Sequence, residues 1–207
     1  LFDVVNPVYH KGVLYYSRPK DNILVSTVIK TFKENWSYAY SKTLEYFEVF
    51  DDKILLVLFD RKQFLDSLVL LNMNGSVAWN YTYSEEVEWG FGFRAESILH
   101  ERILFLVREK GIIEAFNTED GNKLWEIEVR GTQITNFDIY EQRIYVAAND
   151  GNLYCLNLDT GAVLWIFAAE NGLKMYPEDV HTYVSSPEDG FLFVATGDGI
   201  LYAVMGN

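Results

Sequence analysis

Between Asn149 and Phe167, polar turn residues and apolar strand residues follow one another in a fixed order. Asn149-Asp150-Gly151 is a turn signal. After it, Leu153, Cys155 and Asn157 alternate with Tyr154, Leu156 and Leu158 at period two, the spacing of a strand whose successive side chains point to opposite faces. Asp159-Thr160-Gly161 supplies a tight turn, where glycine takes a positive φ without steric cost. Val163, Trp165 and Phe167, alternating with Leu164 and Ile166, form a second strand that ends on bulky aromatics.

The same order recurs along the chain. Trp36, Trp79, Trp125 and Trp165 close comparable strands at spacings of 43, 46 and 40 residues. Three of them follow the turns Asn72-Met73-Asn74-Gly75, Asn117-Thr118-Glu119-Asp120-Gly121 and Asn157-Leu158-Asp159-Thr160-Gly161. Upstream of each lies an acidic or glycine turn before an apolar strand, as at Asp51-Asp52, Glu101-Arg102, Glu141-Gln142 and Glu188-Asp189-Gly190, with Lys11-Gly12 filling that place first. The strands predicted for the first unit are Val13–Ser17, Ile23–Ile29 and Asn35–Tyr40, and for the second Leu44–Val49, Ile54–Phe59, Ser67–Asn72 and Val77–Tyr83. The third takes Glu96–Leu99, Ile103–Val107, Ile112–Asn117 and Leu124–Val129, and the fourth Ile134–Ile139, Ile144–Ala147, Leu153–Asn157 and Val163–Phe167. The fifth takes Val180–Ser185, Phe191–Thr196 and Ile200–Met205. No segment carries a helical period.

A repeat of about 40 residues with four short strands is the signature of β-propeller blades. The sequence therefore predicts an all-β chain, a single β-propeller domain over 1–207 with five four-stranded antiparallel blades. The fifth unit lacks an outer strand, and Leu1–Pro7, with Phe2 in the place of the tryptophan, is expected to close it beside Ile200–Met205 so that neither edge stays bare. The alternative is five blades of a larger ring. The chain starts at Leu1 without a methionine, as expected of a processed or trimmed piece of a longer product.

The run from Asp150 to Trp165 resembles the tryptophan-docking repeat of PQQ-like β-propellers, the superfamily of quinoprotein alcohol dehydrogenases and outer-membrane assembly scaffold lipoproteins. Asp198-Gly199-Ile200-Leu201-Tyr202-Ala203-Val204 matches the first half of that repeat, and Gly121 to Trp125 the second. The resemblance implies that the four tryptophans pack between neighbouring blades, and it favours an extracytoplasmic or cell-surface location. Relatives commonly have eight blades. The enzymes of the superfamily hold PQQ beside Ca²⁺, many with an adjacent disulfide; with Cys155 alone, that disulfide cannot form, and PQQ is not expected.

Composition narrows the function classes. Apolar residues make up 49% of the 207 positions, enough for a substantial core, and no apolar run approaches the roughly 20 residues of a membrane helix. The formal net charge of −13 argues against nucleic-acid binding, which needs a basic footprint. Cys155 lies in an apolar strand pattern and reads as a small buried hydrophobe. The sequons at Asn35, Asn74 and Asn80 compare with roughly one or two that this composition yields by chance, and are a weak hint of glycosylation only. His10, His100 and His181 lack metal-type spacing, the Asp-Gly and Asn-Gly pairs lack calcium-loop spacing, and no nucleophile elbow or phosphate loop occurs. No catalytic, metal or cofactor site is assigned.

Blade topology sorts the loops onto two faces. Turns between strands one and two, and three and four, collect Asp51, Asp52, Glu101, Glu119, Asp120, Glu141, Asp159, Glu188 and Asp189. The other face collects the two–three turns and the blade-to-blade links. It carries the basic residues Arg18, Lys20, Arg61, Lys62, Arg108 and Lys110 and the two longest links, Ser84–Phe93 and Ala168–Asp179. Long loops with aromatic and basic residues on a rigid scaffold are where recognition concentrates. Trp89, Phe91, Phe93, Arg94, Tyr176, Arg61, Lys62 and Arg108 are the candidate binding residues. The expected function is a non-enzymatic protein-interaction scaffold with a protein partner. The alternative is a ligand- or saccharide-binding enzyme domain whose carboxylates line the central channel, with Glu45, Glu48, Glu96 and Asp138 on the innermost strands.

Overall fold

The computed structural model describes residues 5–84, 93–130, 134–150, 152–168, 183–184, 191–195 and 201–205. Within them the first sheet joins β1 (Val5–His10), β2 (Val13–Arg18), β3 (Ile23–Val28) and β4 (Lys33–Ala39). The second joins β5 (Thr43–Val49), β6 (Lys53–Asp60), β7 (Leu65–Asn72) and β8 (Val77–Thr82). The third joins β9 (Phe93–His100), β10 (Ile103–Arg108), β11 (Ile112–Asn117) and β12 (Lys123–Glu128), and the fourth β13 (Ile134–Tyr140), β14 (Arg143–Ala148), β15 (Asn152–Asn157) and β16 (Val163–Ala168). A three-stranded fifth sheet joins β17 (Tyr183–Val184), β18 (Phe191–Ala195) and β19 (Leu201–Met205). Every neighbouring pair is antiparallel and follows chain order, the up-and-down meander the repeat predicts.

Two compact units result. Residues 1–92 with the turn 118–122 form the first, and residues 93–117 with 123–207 the second. In the first, Tyr15, Leu24, Tyr40, Phe47, Ile54, Leu56, Leu58, Val69 and Leu71 form one cluster spanning the β1–β4 and β5–β8 sheets. In the second, Phe105, Ile113, Val146, Tyr154 and Leu156 belong to one cluster, and Tyr145, Cys155 and Val194 to another. Strands β6, β7, β10, β14 and β15 are buried on both faces, which explains their unbroken apolar runs, such as Ile54–Phe59. Outer strands β4, β12 and β16 instead alternate between exposed and half-buried positions, as half-solvated strands should.

The tryptophans are docked in one way. Trp36 Nε1 donates to Met73 O at 2.9 Å, Trp79 Nε1 to Thr118 O at 3.1 Å and Trp125 Nε1 to Leu158 O at 3.1 Å. Each indole lies over the glycine of the turn it reaches. A Cβ placed on Gly75, whose φ is +83°, would sit 2.6 Å from Trp36 Cδ2, and Gly121 and Gly161 lie equally close under Trp79 and Trp125. In all four outer strands the register slips just before the tryptophan, leaving Asn35, Ala78, Leu124 and Leu164 as the extra residues of β-bulges. A bulge bends its strand and re-aims the side chain beside it. Trp165 shares the bulge and a ring contact, 6.0 Å from Tyr145 as Trp36 is from Tyr15, but its buried Nε1 has no acceptor among the described residues.

Two features differ from the sequence expectation. Val5–Pro7 does not run as an outer closing strand; it belongs to β1, paired with β2 from Val5 opposite Ser17 to His10 opposite Val13. The turn at Lys11-Gly12 makes a local hairpin there, whose short loop costs less closure entropy than pairing with the far end of the chain. Leu1–Val4, including Phe2, lie outside the described residues. Strand β9 begins at Phe93, earlier than the expected Glu96, because a bulge opposite β10 between Leu106 and Arg108 extends the pairing.

Gly75→Ala is expected to destabilise the chain by about 2–4 kcal/mol, from the left-handed φ and the collision with the Trp36 ring. Urea unfolding followed by tryptophan fluorescence checks it, and Gly12→Ala, with nothing within 4 Å of its added Cβ, is expected to cost clearly less.

Candidate functional site

Three connections of the first unit converge on a cleft of about 540 Å³: the β2–β3 turn, the β4–β5 link and the β6–β7 turn. Its walls include Asn6, Tyr40, Lys42, Glu45, Arg61 and Lys62. Backbone hydrogen bonds fix the walls. Tyr40 N donates to Asn22 O at 2.9 Å, tying the link to the β2–β3 turn, and Phe64 N donates to Asp60 O at 2.7 Å, closing the β6–β7 turn.

Asp60 organises that second turn. Its Oδ1 accepts from Lys62 N at 2.9 Å and from Gln63 N at 3.2 Å, and these bonds hold its carboxyl below the usual carboxylate range. The Asp60 carboxylate thus serves the backbone, while the exposed side chains of Arg61 and Lys62 make no ion pair among the described residues. Lys42 Nζ reaches Ser67 Oγ at 2.5 Å, and Ser67 Oγ shares a hydrogen bond with Thr82 Oγ1 at 3.2 Å. Two bulges shape the other wall: Asn6, with φ 52°, falls in the slipped segment of β1, and Glu45 is the extra residue of β5 opposite β6. Desolvation raises the Glu45 carboxyl, with Arg61 pulling the other way. Tyr40 is 6% exposed, and its hydroxyl has no hydrogen-bond partner among the described residues.

Of the eight candidate binding residues, the structure brings Arg61 and Lys62 together at this cleft. Arg108 departs from the expectation of an exposed loop cation: it ends β10, is 9% exposed, and its Nη1 lies 3.6 Å from Glu114 Oε1. Glu114, fully buried on β11, needs that charge. It also accepts from Lys123 Nζ at 2.8 Å, and Lys123 reaches Glu126 Oε2 at 2.6 Å. Desolvation works to lower the Lys123 pKa, but the hydrogen bonds to Glu114 and Glu126 outweigh it and the net shift is upward. Phe93 and Arg94 belong to β9 rather than to a loop. Trp89, Phe91 and Tyr176 lie outside the described residues. Tyr40 and Lys42 were missed as site residues; the one signal in the sequence is that Tyr40 follows Trp36 at the same distance as Tyr83 follows Trp79.

The remaining chemistry is structural. Cys155 is buried, which pushes its thiol up to about 11. Among the described residues no cluster of three His, Cys, Asp or Glu could hold a metal, and no helix is long and apolar enough to cross a membrane.

Residues 65–206 match the family described as outer membrane protein assembly factor BamB. The assembly factor BamB of Shewanella oneidensis is 28% identical over 142 residues, 65% of this chain and 35% of that protein. A lambda-carrageenase of a Pseudoalteromonas species is 32% identical over 106 residues, 47% of this chain and 10% of the enzyme. The chain therefore spans about a third of the one curated relative and a tenth of the other. Among solved structures, BamB from Moraxella catarrhalis superposes with a TM-score of 0.67 at 14% identity, covering 97% of this chain and 60% of that one. The computationally designed protein Ika8 superposes with a TM-score of 0.68 at 13% identity, covering 98% and 58%. The fold is the all-β propeller architecture of antiparallel four-stranded blades.

Two outcomes are expected for the buried charges. Glu114→Gln strands Arg108 and Lys123 beside a neutral group and should destabilise by about 3 kcal/mol in urea unfolding. The hydrogen bond from Lys123 holds the Glu126 carboxyl below its ordinary range, against partial desolvation. A depressed folded-state value gives stability that is present above the ordinary carboxylate pKa and lost as pH falls through the folded value. Glu126→Gln is therefore expected to lower the thermal midpoint at neutral pH and to converge with the parent at low pH, so that the acid limb of a plot of midpoint against pH becomes shallower.

Proposed function

The chain belongs to the family of outer membrane protein assembly factor BamB, and on that premise we propose that it is a non-enzymatic propeller scaffold that binds a protein partner through one loop face. That face carries the two–three turns and the blade-to-blade links. The observation that carries the reading is the cleft of the first unit. It opens among those loops, with Arg61 and Lys62 exposed and uncompensated by ion pairs among the described residues. The opposite end of β6 is acidic and self-satisfied instead: Asp51 pairs with Lys11 at 2.7 Å, and Asp52 with Lys53 at 2.9 Å. Interior positions are consumed by packing, so recognition falls to the loop ends.

The likeness to lambda-carrageenase supports a second reading, a saccharide-binding enzyme domain. It is the weaker one. The matched 106 residues are 10% of that enzyme, and the cleft's aromatic rings, Tyr40 and Phe59, are buried and offer no open face to a sugar.

A photoreactive amino acid at Lys62 is expected to give protein adducts in cells, and the same group at Asp52, at the other end of β6, to give none. The double substitution Trp89→Ala with Phe93→Ala should remove the Lys62 adducts while leaving the thermal midpoint unchanged. Adducts from Asp52 alone, or adducts indifferent to the double substitution, would discard the loop-face assignment.

A further inference from the structure

The cleft of the first unit has a more specific chemistry than a general docking surface. Its lining sets Lys42, Arg61 and Lys62 against Glu45 and Asp60, a local positive balance on a chain whose net charge is −13. Asp60 is spoken for by the backbone of its own turn. Arg61 and Lys62 are held side by side on that turn, which ends at Phe64, 46% exposed and at φ 54°. A bulky residue in the left-handed region is strained, and such strain concentrates at binding sites. The buried Tyr40 hydroxyl is a donor without an acceptor among the described residues, a condition that a bound oxygen would relieve.

These groups select among ligands. A carboxylate suits the paired cations, since a guanidinium presents its donors in a fork that matches two carboxylate oxygens. A bare polyanion would meet Glu45 and Asp60 on the same walls. A ligand that brings both carboxylates and peptide N–H donors satisfies cations and acceptors together, and Asn6 and Glu45 face the cleft as such acceptors. The volume lies within the range of sites for small ligands, and holds a few residues of extended chain.

We propose that this cleft seats a short acidic segment of a partner protein in extended conformation, with a carboxylate held by Arg61 and Lys62 and a neighbouring peptide oxygen accepting from the Tyr40 hydroxyl. The inference rests on the scaffold reading and names the chemistry of its partner.

The test is fluorescence anisotropy of the full chain with a fluorescein-labelled hexapeptide of alternating glycine and glutamate. Saturable binding is expected, weakened about tenfold by the double substitution Arg61→Gln with Lys62→Gln and about threefold by Tyr40→Phe, as losses of charge-assisted and neutral hydrogen bonds predict. Replacing the peptide's glutamates by glutamine should weaken it to a similar degree as the double substitution. Thermal midpoints and circular dichroism of the variants establish that they are folded; Arg61 and Lys62 are exposed, so their substitution leaves the core intact. The proposal is overturned by absence of saturable binding at about 1 mM protein, by a double variant within about twofold of the parent, or by displacement of the peptide by equimolar inorganic phosphate, each well outside a charge-assisted peptide contact. Lys62 adducts in cells alongside any of those results would leave the loop-face reading standing while removing the acidic segment, so the two failures are told apart.

Discussion

An indole laid over a glycine turn is the contact on which the repeat depends. It has three requirements that must coincide: a tryptophan on the outer strand, a carbonyl within reach of Nε1, and a turn residue with no Cβ beneath the ring. Met73, Thr118 and Leu158 supply the carbonyl, and Gly75, Gly121 and Gly161 the bare turn. The hydrogen bond contributes only about 1 kcal/mol, and the buried ring adds more through the water it excludes. Its larger effect is on register. Each outer strand bulges one residue before its tryptophan, so the ring points at its turn and not along the simple period-two face. The middle strands, paired on both edges and buried on both faces, are almost wholly apolar.

Enclosure of the middle strands decides where polar chemistry can survive. A charged residue within them must find a counter-charge, and Glu114 does so through Arg108 and Lys123. Arg61 and Arg108 show the consequence. Both stand near the end of the second strand of a sheet, and the sequence ranks them alike. Arg61 follows Asp60, whose carboxylate caps the β6–β7 turn and leaves the arginine outside; Arg108 lies within β10, against the strand that carries Glu114. One cation is offered to solvent and the other neutralises the core.

The spacing of Trp36, Trp79, Trp125 and Trp165 and the glycines before three of them were enough to place most strands and their order, because a docking repeat leaves a local imprint on each unit. What the pattern does not encode is the slip of register. Asn35, Glu45 and Leu164 look like ordinary strand positions, and only pairing reveals them as bulged. The first strand was misplaced for a related reason: Leu1–Pro7 reads as a closing strand, and apolar periodicity does not distinguish that from the hairpin in which Val5–Pro7 takes part. The cleft was least legible, since its walls come from loops near residues 20, 41 and 61 that no local pattern connects. Arg61 and Lys62 were found through topology, by sorting turns onto faces, whereas Tyr40 reads as core and reveals itself only by a hydroxyl without a partner among the described residues.

The docking contact also explains how so little sequence carries the fold. Tryptophan, a carbonyl and glycine are a small part of each unit, and a carbonyl can come from any residue. BamB from Moraxella catarrhalis and a designed protein superpose on nearly the whole chain at 14% and 13% identity. The loops are correspondingly free to vary, and an assembly factor and a carrageenase can both share the repeat. Activity therefore cannot be argued from the blades. It has to be argued from residues the blades do not need, and in the described structure Arg61, Lys62, Lys42 and the Tyr40 hydroxyl are of that kind: none is required by the docking of any tryptophan, yet the ends of two adjacent meanders bring them to one cleft.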